Sequence, residues 1–184
     1  MGTLHILALC GSSRRASFNR KLMELAVAEL RAQGAEVDAV DPKLLAQLPL
    51  YDQDVEEQGW PGPVKDLRDR LGRAQGLLIV SPEYNSSIPG ILKNAIDWLS
   101  RGPERLFTEK WAAMMGASPS PFGTARMQPH LRQVLASVGS HVITSQVHIA
   151  RAMEAFTPEG GLKEEARRKE MGAVVSALVS KLKG

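Results

Sequence analysis

Two hydrophobic periods alternate along this chain. Leu4-His5-Ile6-Leu7-Ala8-Leu9 and Gly76-Leu77-Leu78-Ile79-Val80-Ser81 are short, nearly continuous apolar runs, the pattern of parallel strands covered on both faces. Residues 36–40, 110–117 and 142–147 read as three further strands. Between them the period changes to that of a helix. Leu22, Ala26 and Leu30 recur every four residues in a segment from 18 to 33, which Ser17 can cap and Gly34 can end. Helices are likewise predicted over 64–73, from Pro89 through Leu99, over 124–139 and over 162–182. In the third, Ile91, Leu92, Ala95, Ile96 and Leu99 form one stripe; in the fourth, Leu131, Val134, Leu135 and Val138 do so. The proline-punctuated stretch from 42 to 63 is predicted to be a loop. Trp98 lies off its helix's main stripe, as either an interface anchor or a second buried face.

Strands interleaved with helices imply an α/β fold, a doubly wound parallel sheet with a ligand crevice at the carboxyl ends of its strands. The loops after the first, third and fourth strands then meet at one edge. A length of 184 residues suits one domain over 1–184. The balance of 43% apolar and 23% charged residues is that of a globular protein. No apolar run approaches a membrane span, and the N-terminus lacks a signal-peptide pattern; a cytoplasmic protein is expected.

Cys10 is the one cysteine, which excludes a disulfide framework and a cysteine metal cluster, and it reads as a small apolar residue ending a buried strand. The four histidines lack metal-ligand spacing, so no metal is expected. The net charge of +3 is spread out, with no basic run. Nucleic acid is not an expected partner, whereas a small anionic cofactor and co-substrate suit the field.

The first loop joins an apolar strand to an amphipathic helix through Gly11-Ser12-Ser13-Arg14-Arg15-Ala16-Ser17-Phe18-Asn19. Backbone N–H groups at a helix start, hydroxyls and guanidinium charge converge there on one anion. The loop lacks the glycines of a dinucleotide fingerprint and the Gly-Lys-Ser/Thr of a P-loop, and it suits a terminal monophosphate; a polar capping loop with solvated arginines is the alternative. The second loop, Ser81 to Gly90, offers Tyr84 to flank a flat heterocycle, backbone groups to read its edge, and Glu83 as a candidate acid or base without a carboxylate partner. The alternative is an ordinary strand-to-helix turn. The third, Gly116 to Arg126, is small and hydroxylic; Ser118 is not in a G-x-S-x-G elbow, so a hydrolase is not expected.

Gly11-Ser12-x-Arg14-x-x-Ser17-Phe18-Asn19, Leu48-Pro49-Leu50-Tyr51-Asp52 and the block from Pro82-Glu83-Tyr84-Asn85 to Asp97-Trp98-Leu99-Ser100-Arg101 together resemble the NADPH-dependent FMN reductase family, in its quinone, chromate and azo reductase branch. The resemblance spans about residues 4–145. It implies a flavodoxin-like three-layer sandwich around a five-stranded parallel sheet in the order 2-1-3-4-5. It also implies bound FMN with NADPH or NADH as co-substrate. Ser12, Arg14, Ser17, Phe18 and Asn19 would bind the FMN phosphate and ribityl start. Pro82, Glu83, Tyr84, Asn85 and Ser86 would line the ring, and Ser118 would close the far side. Pro119 and Pro121 depart from the glycine-rich third loop of the family, and residues 150–162 match nothing in it.

The flavin would carry the chemistry, so no side chain is named as catalytic. A small acceptor (quinone, flavin, azo compound or chromate) would use the flavin face that NAD(P)H leaves, giving ping-pong kinetics. A homodimer or homotetramer is implied. Arg101 and Arg126 are candidates for subunit contacts or the NADPH 2′-phosphate, solvated helix-end arginines being the plainer reading. A flavodoxin-type electron carrier or a flavin-binding sensor would share the fold without oxidising NAD(P)H.

Overall fold

A computed structural model describes residues 2–184. Its centre is a parallel sheet in the order β2-β1-β3-β4-β5, with β6 also paired to β4. The strands are β1 (Leu4–Cys10), β2 (Ala35–Ala39), β3 (Gly76–Val80), β4 (Trp111–Ala117), β5 (His141–Val142) and β6 (Val147–Ile149). The expected order of five strands is therefore present, with a sixth segment continuing the edge.

Strand alternation divides the core between the two faces of the sheet. Ile6, Ala8 and Cys10 of β1 pack with α1 (Phe18–Ala32) and α8 (Glu165–Lys183). Leu7 and Leu9 point the other way, into a cluster with α4 (Gly62–Arg73), α5 (Gly90–Leu99) and α6 (Met127–Ser137). All five residues of β3 are buried, as a central strand with helices on both sides requires.

Three expectations need correction. Residues 42–63 are not one loop: they hold α2 (Pro42–Gln47), α3 (Gln53–Gln58) and the first residues of α4. Asp41 Oδ1 accepts the Lys43 N–H at 3.0 Å and Asp52 Oδ1 accepts the Asp54 N–H at 2.9 Å, so each aspartate caps a helix. Pro42 sits in the first turn of α2, where its missing N–H costs nothing. The expected fifth strand is broken at residues 143–146, because Arg132 takes the Val142 and Ile143 carbonyls at 3.0 and 2.9 Å. Residues 150–164 contain α7 (Ala152–Ala155) and a Phe156–Leu162 bridge, so the closing helix starts at Glu165 rather than 162.

Trp98 is fully buried within the chain, which decides its role. Its indole N–H donates to the Pro49 carbonyl at 2.7 Å, and its ring meets Tyr51 edge-on with centroids 5.1 Å apart. Asn94 accepts the Tyr51 N–H at 2.8 Å and donates to Pro49 at 2.8 Å. The residues of α5 thus fasten the Leu48–Asp52 segment to the core.

Candidate functional site

The carboxyl ends of β1, β3 and β4 bring the three loops together. Gly11 donates to Val80 at 2.9 Å and Ser81 to Met115 at 3.0 Å, so each strand exit is tied to the next. Close packing explains two glycines: a Cβ on Gly11 would collide with the Ser81 hydroxyl, and one on Gly116 with the Ser81 carbonyl.

Loop 1, from Gly11 to Ser17, leads into the N-terminus of α1. Ser17 caps that helix, its hydroxyl accepting the Asn19 N–H at 3.2 Å. Among the described residues, no backbone N–H from Ser12 to Phe18 donates to a protein acceptor. Ser12 is buried, while Arg14 is exposed and folds back to donate to the Ala16 carbonyl at 2.8 Å. A run of free donors ahead of a helix N-terminus, with three serines and two arginines, is complementary to a phosphomonoester. The residues present therefore fit the terminal phosphate of FMN.

Two expected ligands in this loop have other partners. Both ends of the Asn19 amide bind the Ala117 backbone: Oδ1 accepts its N–H and Nδ2 donates to its C=O, each at 2.8 Å. The Phe18 ring stacks on Phe156 with centroids 5.4 Å apart. These two side chains hold the cradle in place, Asn19 against β4 and Phe18 against the segment after α7.

Loop 2 contains a tight turn. Tyr84 and Ser87 exchange backbone hydrogen bonds of 3.1 and 2.9 Å, with Asn85 and Ser86 at φ 49° and 62°. That two-residue left-handed turn leaves the Asn85 and Ser86 N–H groups outside the turn's own hydrogen bonds and exposes Tyr84. Pro82 is buried beneath it. Free N–H groups beside an exposed aromatic fit the polar edge and flat face of a flavin ring.

Glu83 is occupied elsewhere than in acid–base work. Its side chain is 8% exposed, and Oε2 accepts the N–H groups of Arg126 and Met127 at 2.9 and 3.0 Å. The carboxylate caps α6 from another loop, at the end where the helix dipole favours negative charge. Through this contact Glu83 fixes loop 2 to loop 3.

Loop 3 runs from Ser118 to Arg126. Ser118 is half-buried, and its hydroxyl accepts the Ser120 N–H at 3.2 Å; Ser120 repeats the bond to Phe122 at 3.2 Å. The backbone docks on the end of β6, with Ser118 donating to Ile149 at 2.9 Å and accepting from Ala152 at 3.0 Å. Sequence reading missed the group beneath it. Gln128, fully buried, donates to Thr124 Oγ1 at 2.9 Å and the Val147 carbonyl at 2.8 Å. Gln128 Oε1 and His148 Nδ1 are buried without hydrogen-bond partners, and burial pulls the His148 pKa below its ordinary 6.5. A glutamine on the polar side of an amphipathic pattern carries no sign of such burial.

Cys10 is inaccessible, and burial pushes its thiol up to about 11, so it stays protonated and serves packing. No group of three or more metal-ligating side chains occurs among the described residues. A cavity of about 670 Å³ lies at the opposite end of β1 and β2, lined in part by His5, Glu36, Asp38, Arg70 and Arg73. Its most buried cation is already paired, since Arg70 grips Asp38 with two hydrogen bonds of 2.8 and 2.5 Å.

The comparisons with known proteins agree with this geometry. The model of the family "NADPH-dependent FMN reductase" matches residues 4–154. The chain is 38% identical over 185 residues to an NAD(P)H-dependent FMN reductase of Pseudomonas aeruginosa, covering 98% of each chain. It is 42% identical over 145 residues to the quinone reductase of Escherichia coli, covering 76% of this chain and 73% of that one. Among solved structures, the flavoenzyme NAD(P)H:(acceptor) oxidoreductase of Paracoccus denitrificans superposes with a TM-score of 0.88 at 30% identity, covering 98% of each. With the family match spanning all three loops, this chain belongs to the NADPH-dependent FMN reductase family and is an FMN-dependent NAD(P)H oxidoreductase.

Proposed function

We propose that the chain is one FMN-binding unit that reduces quinones, with the FMN phosphate in loop 1, the ring along loop 2 and Ser118 of loop 3 at its far side. The observation that carries this reading is the row of unpartnered N–H groups from Ser12 to Phe18 at the start of α1. When bound, FMN supplies the two-electron chemistry, accepting a hydride from NAD(P)H and passing it to an acceptor.

The chain's own residues position and tune. Ser12, Ser17 and Arg14 hold the phosphate, with Arg14 leaving the Ala16 carbonyl to do so. The Asn85 and Ser86 N–H groups face the ring's polar edge, where preorganised donors stabilise developing negative charge. Pro82 and the Glu83 cap keep that turn rigid. Glu83 is not poised as a proton donor, because its carboxylate is held by α6. A quinone as acceptor draws support from the 42% identity to the quinone reductase of Escherichia coli. Successive use of one open face by NAD(P)H and quinone gives ping-pong kinetics. We assign the protein to the cytoplasm, as a homodimer or homotetramer; none of its described helices is long and apolar enough to cross a membrane.

The test is flavin retention and bleaching. Purified protein should carry FMN, lose its yellow colour on anaerobic NADPH and regain it on adding a benzoquinone. Arg14→Ala should weaken FMN binding at least about tenfold, the loss of one charge-assisted hydrogen bond, while the apoprotein stays folded. Full flavin content in that variant would remove Arg14 from the phosphate site, and absence of bleaching in the parent would leave a carrier or sensor.

A further inference from the structure

Four arginines stand on the loop rim, and one phosphate cannot engage them all. Arg14 and Arg15 belong to loop 1. Arg126 ends loop 3, and Arg151 flanks it, its N–H donating to the Ser120 carbonyl at 3.1 Å. Among the described residues the Arg126 guanidinium makes no hydrogen bond to the protein, although it is held in place. Its carbon lies 4.7 Å above the centroid of the Phe122 ring, and Nη1 is 3.8 Å from Glu83 Oε1. The fork thus makes no hydrogen bond to the protein and is fixed by a ring beneath it and an ion pair with a carboxylate beside it.

Phe122 is itself unusual. The residue is 58% exposed, on a loop that holds Pro119, Pro121 and two hydrogen bonds from backbone N–H groups to serine hydroxyls. An exposed aromatic ring with a half-exposed guanidinium stacked over it, the guanidinium making no hydrogen bond to the protein, matches a ligand that joins a flat heterocycle to a phosphomonoester. Arg101, the other candidate, is engaged within its own chain past the C-terminal end of α5, with its guanidinium over Tyr51 and its Nε donating to the Asp97 carbonyl at 3.2 Å.

We propose that Phe122 and Arg126 form the site for the adenosine 2′-phosphate of NADPH, and that this enzyme therefore prefers NADPH to NADH. The inference rests on the reading that NAD(P)H delivers its hydride at the three-loop site. Adenine stacks on Phe122, and the 2′-phosphate takes the Arg126 fork, with Arg151 adding charge from the other side of the loop. The Glu83 cap survives substitution of Arg126, because the carboxylate binds the backbone N–H of that residue and not its side chain.

The experiment uses the FMN-loaded protein and two flavin-independent probes, adenosine 2′,5′-bisphosphate and AMP, titrated by calorimetry. Wild type should bind the bisphosphate at least about tenfold more tightly than AMP, as expected for a charge-assisted fork. Arg126→Ala should shrink that ratio to within about twofold, Arg126→Lys should keep part of it, and Phe122→Ala should weaken both probes alike. In kinetics, Arg126→Ala should lower the ratio of kcat/KM for NADPH over NADH by a similar factor. Equal loss for both nicotinamides would mark a pyrophosphate contact and overturn the assignment. So would a bisphosphate preference that persists in Arg126→Ala, or one absent from wild type. Flavin content is read first: an Arg126→Ala protein without FMN overturns the proposal, because the arginine then serves the flavin. A change in oligomeric state with discrimination intact would make Arg126 a subunit contact and overturn it too. Failure of the parent to bleach with either nicotinamide would instead defeat the underlying reading.

Discussion

Asn19 and Ala117 form a closed pair of hydrogen bonds, 2.8 Å in each direction, between the first turn of α1 and the last residue of β4. They are 98 residues apart in the chain, and this side chain joins the helix that follows the first loop to the strand end that leads into the third. Asn19→Ala would leave a buried N–H and a buried C=O without partners, at a cost of about 1–3 kcal/mol for each group. We expect a total destabilisation of about 2–4 kcal/mol in urea unfolding, together with weaker FMN binding. Asn19→Asp keeps the acceptor for the Ala117 N–H but sets a carboxylate against the Ala117 carbonyl and near the phosphate cradle. It should therefore lower FMN affinity more than its loss of stability would suggest. Wild-type flavin affinity in both variants would show that the clamp has no bearing on the cradle.

Much of this fold is written in local pattern. The continuous apolar run of β3, the four-residue recurrence along α1 and the Ser17 cap each depend on neighbours within one turn or one strand. What escaped pattern was of two kinds. Proline in α2 looked like a chain breaker, yet after Asp41 it occupies the one turn that tolerates it. Residues 142–147 read as one strand, and the Arg132 guanidinium on α6, by taking two carbonyls, ends it early.

The site divided in the same way. The loop, its serines and its free N–H groups follow from an apolar strand meeting a capped helix. The duties of Asn19 and Glu83 do not, since their partners are 98 and 43 residues away and are backbone atoms, which leave no mark on composition. A polar residue in a motif block reads as facing a ligand, and these two side chains also bind backbone groups of the protein and tie the loops together.

Protonation of His148 should make stability fall on the acid side. Its backbone and Cβ pack against Gly123 of loop 3, and burial lowers its pKa below 6.5. The Thr124 backbone, Glu83 and Glu170 pull the value up, and Arg167 pushes it down, but burial dominates. Above pH 6.5 the ring is neutral in both folded and unfolded chains, and this group leaves stability unchanged. As pH falls through 6.5 the unfolded chain takes up the proton first, so stability declines until the folded pKa is passed. Thermal unfolding from pH 7.5 to 5 should show a shallower decline in His148→Gln than in wild type. Identical slopes would show that the histidine carries no linkage.

Glu83 gives the sharpest separation between a positioning role and an acid–base role. Glu83→Gln keeps an oxygen for the Arg126 and Met127 N–H groups and removes only the charge at the start of α6. Stability should drop by about 0.3–1 kcal/mol, the usual value of a charge at a helix end. Glu83→Ala removes the cap and leaves two N–H groups unpaired, and should cost about 1–3 kcal/mol with looser FMN binding. A general acid or base would behave otherwise: Gln would then depress kcat by about 10²–10⁴-fold and delete one limb of the pH–rate profile. We expect a decrease of a few-fold in Glu83→Gln with both limbs retained, measured by stopped-flow reduction with NADPH. A lost limb would return Glu83 to the chemistry and take the cap out of its explanation.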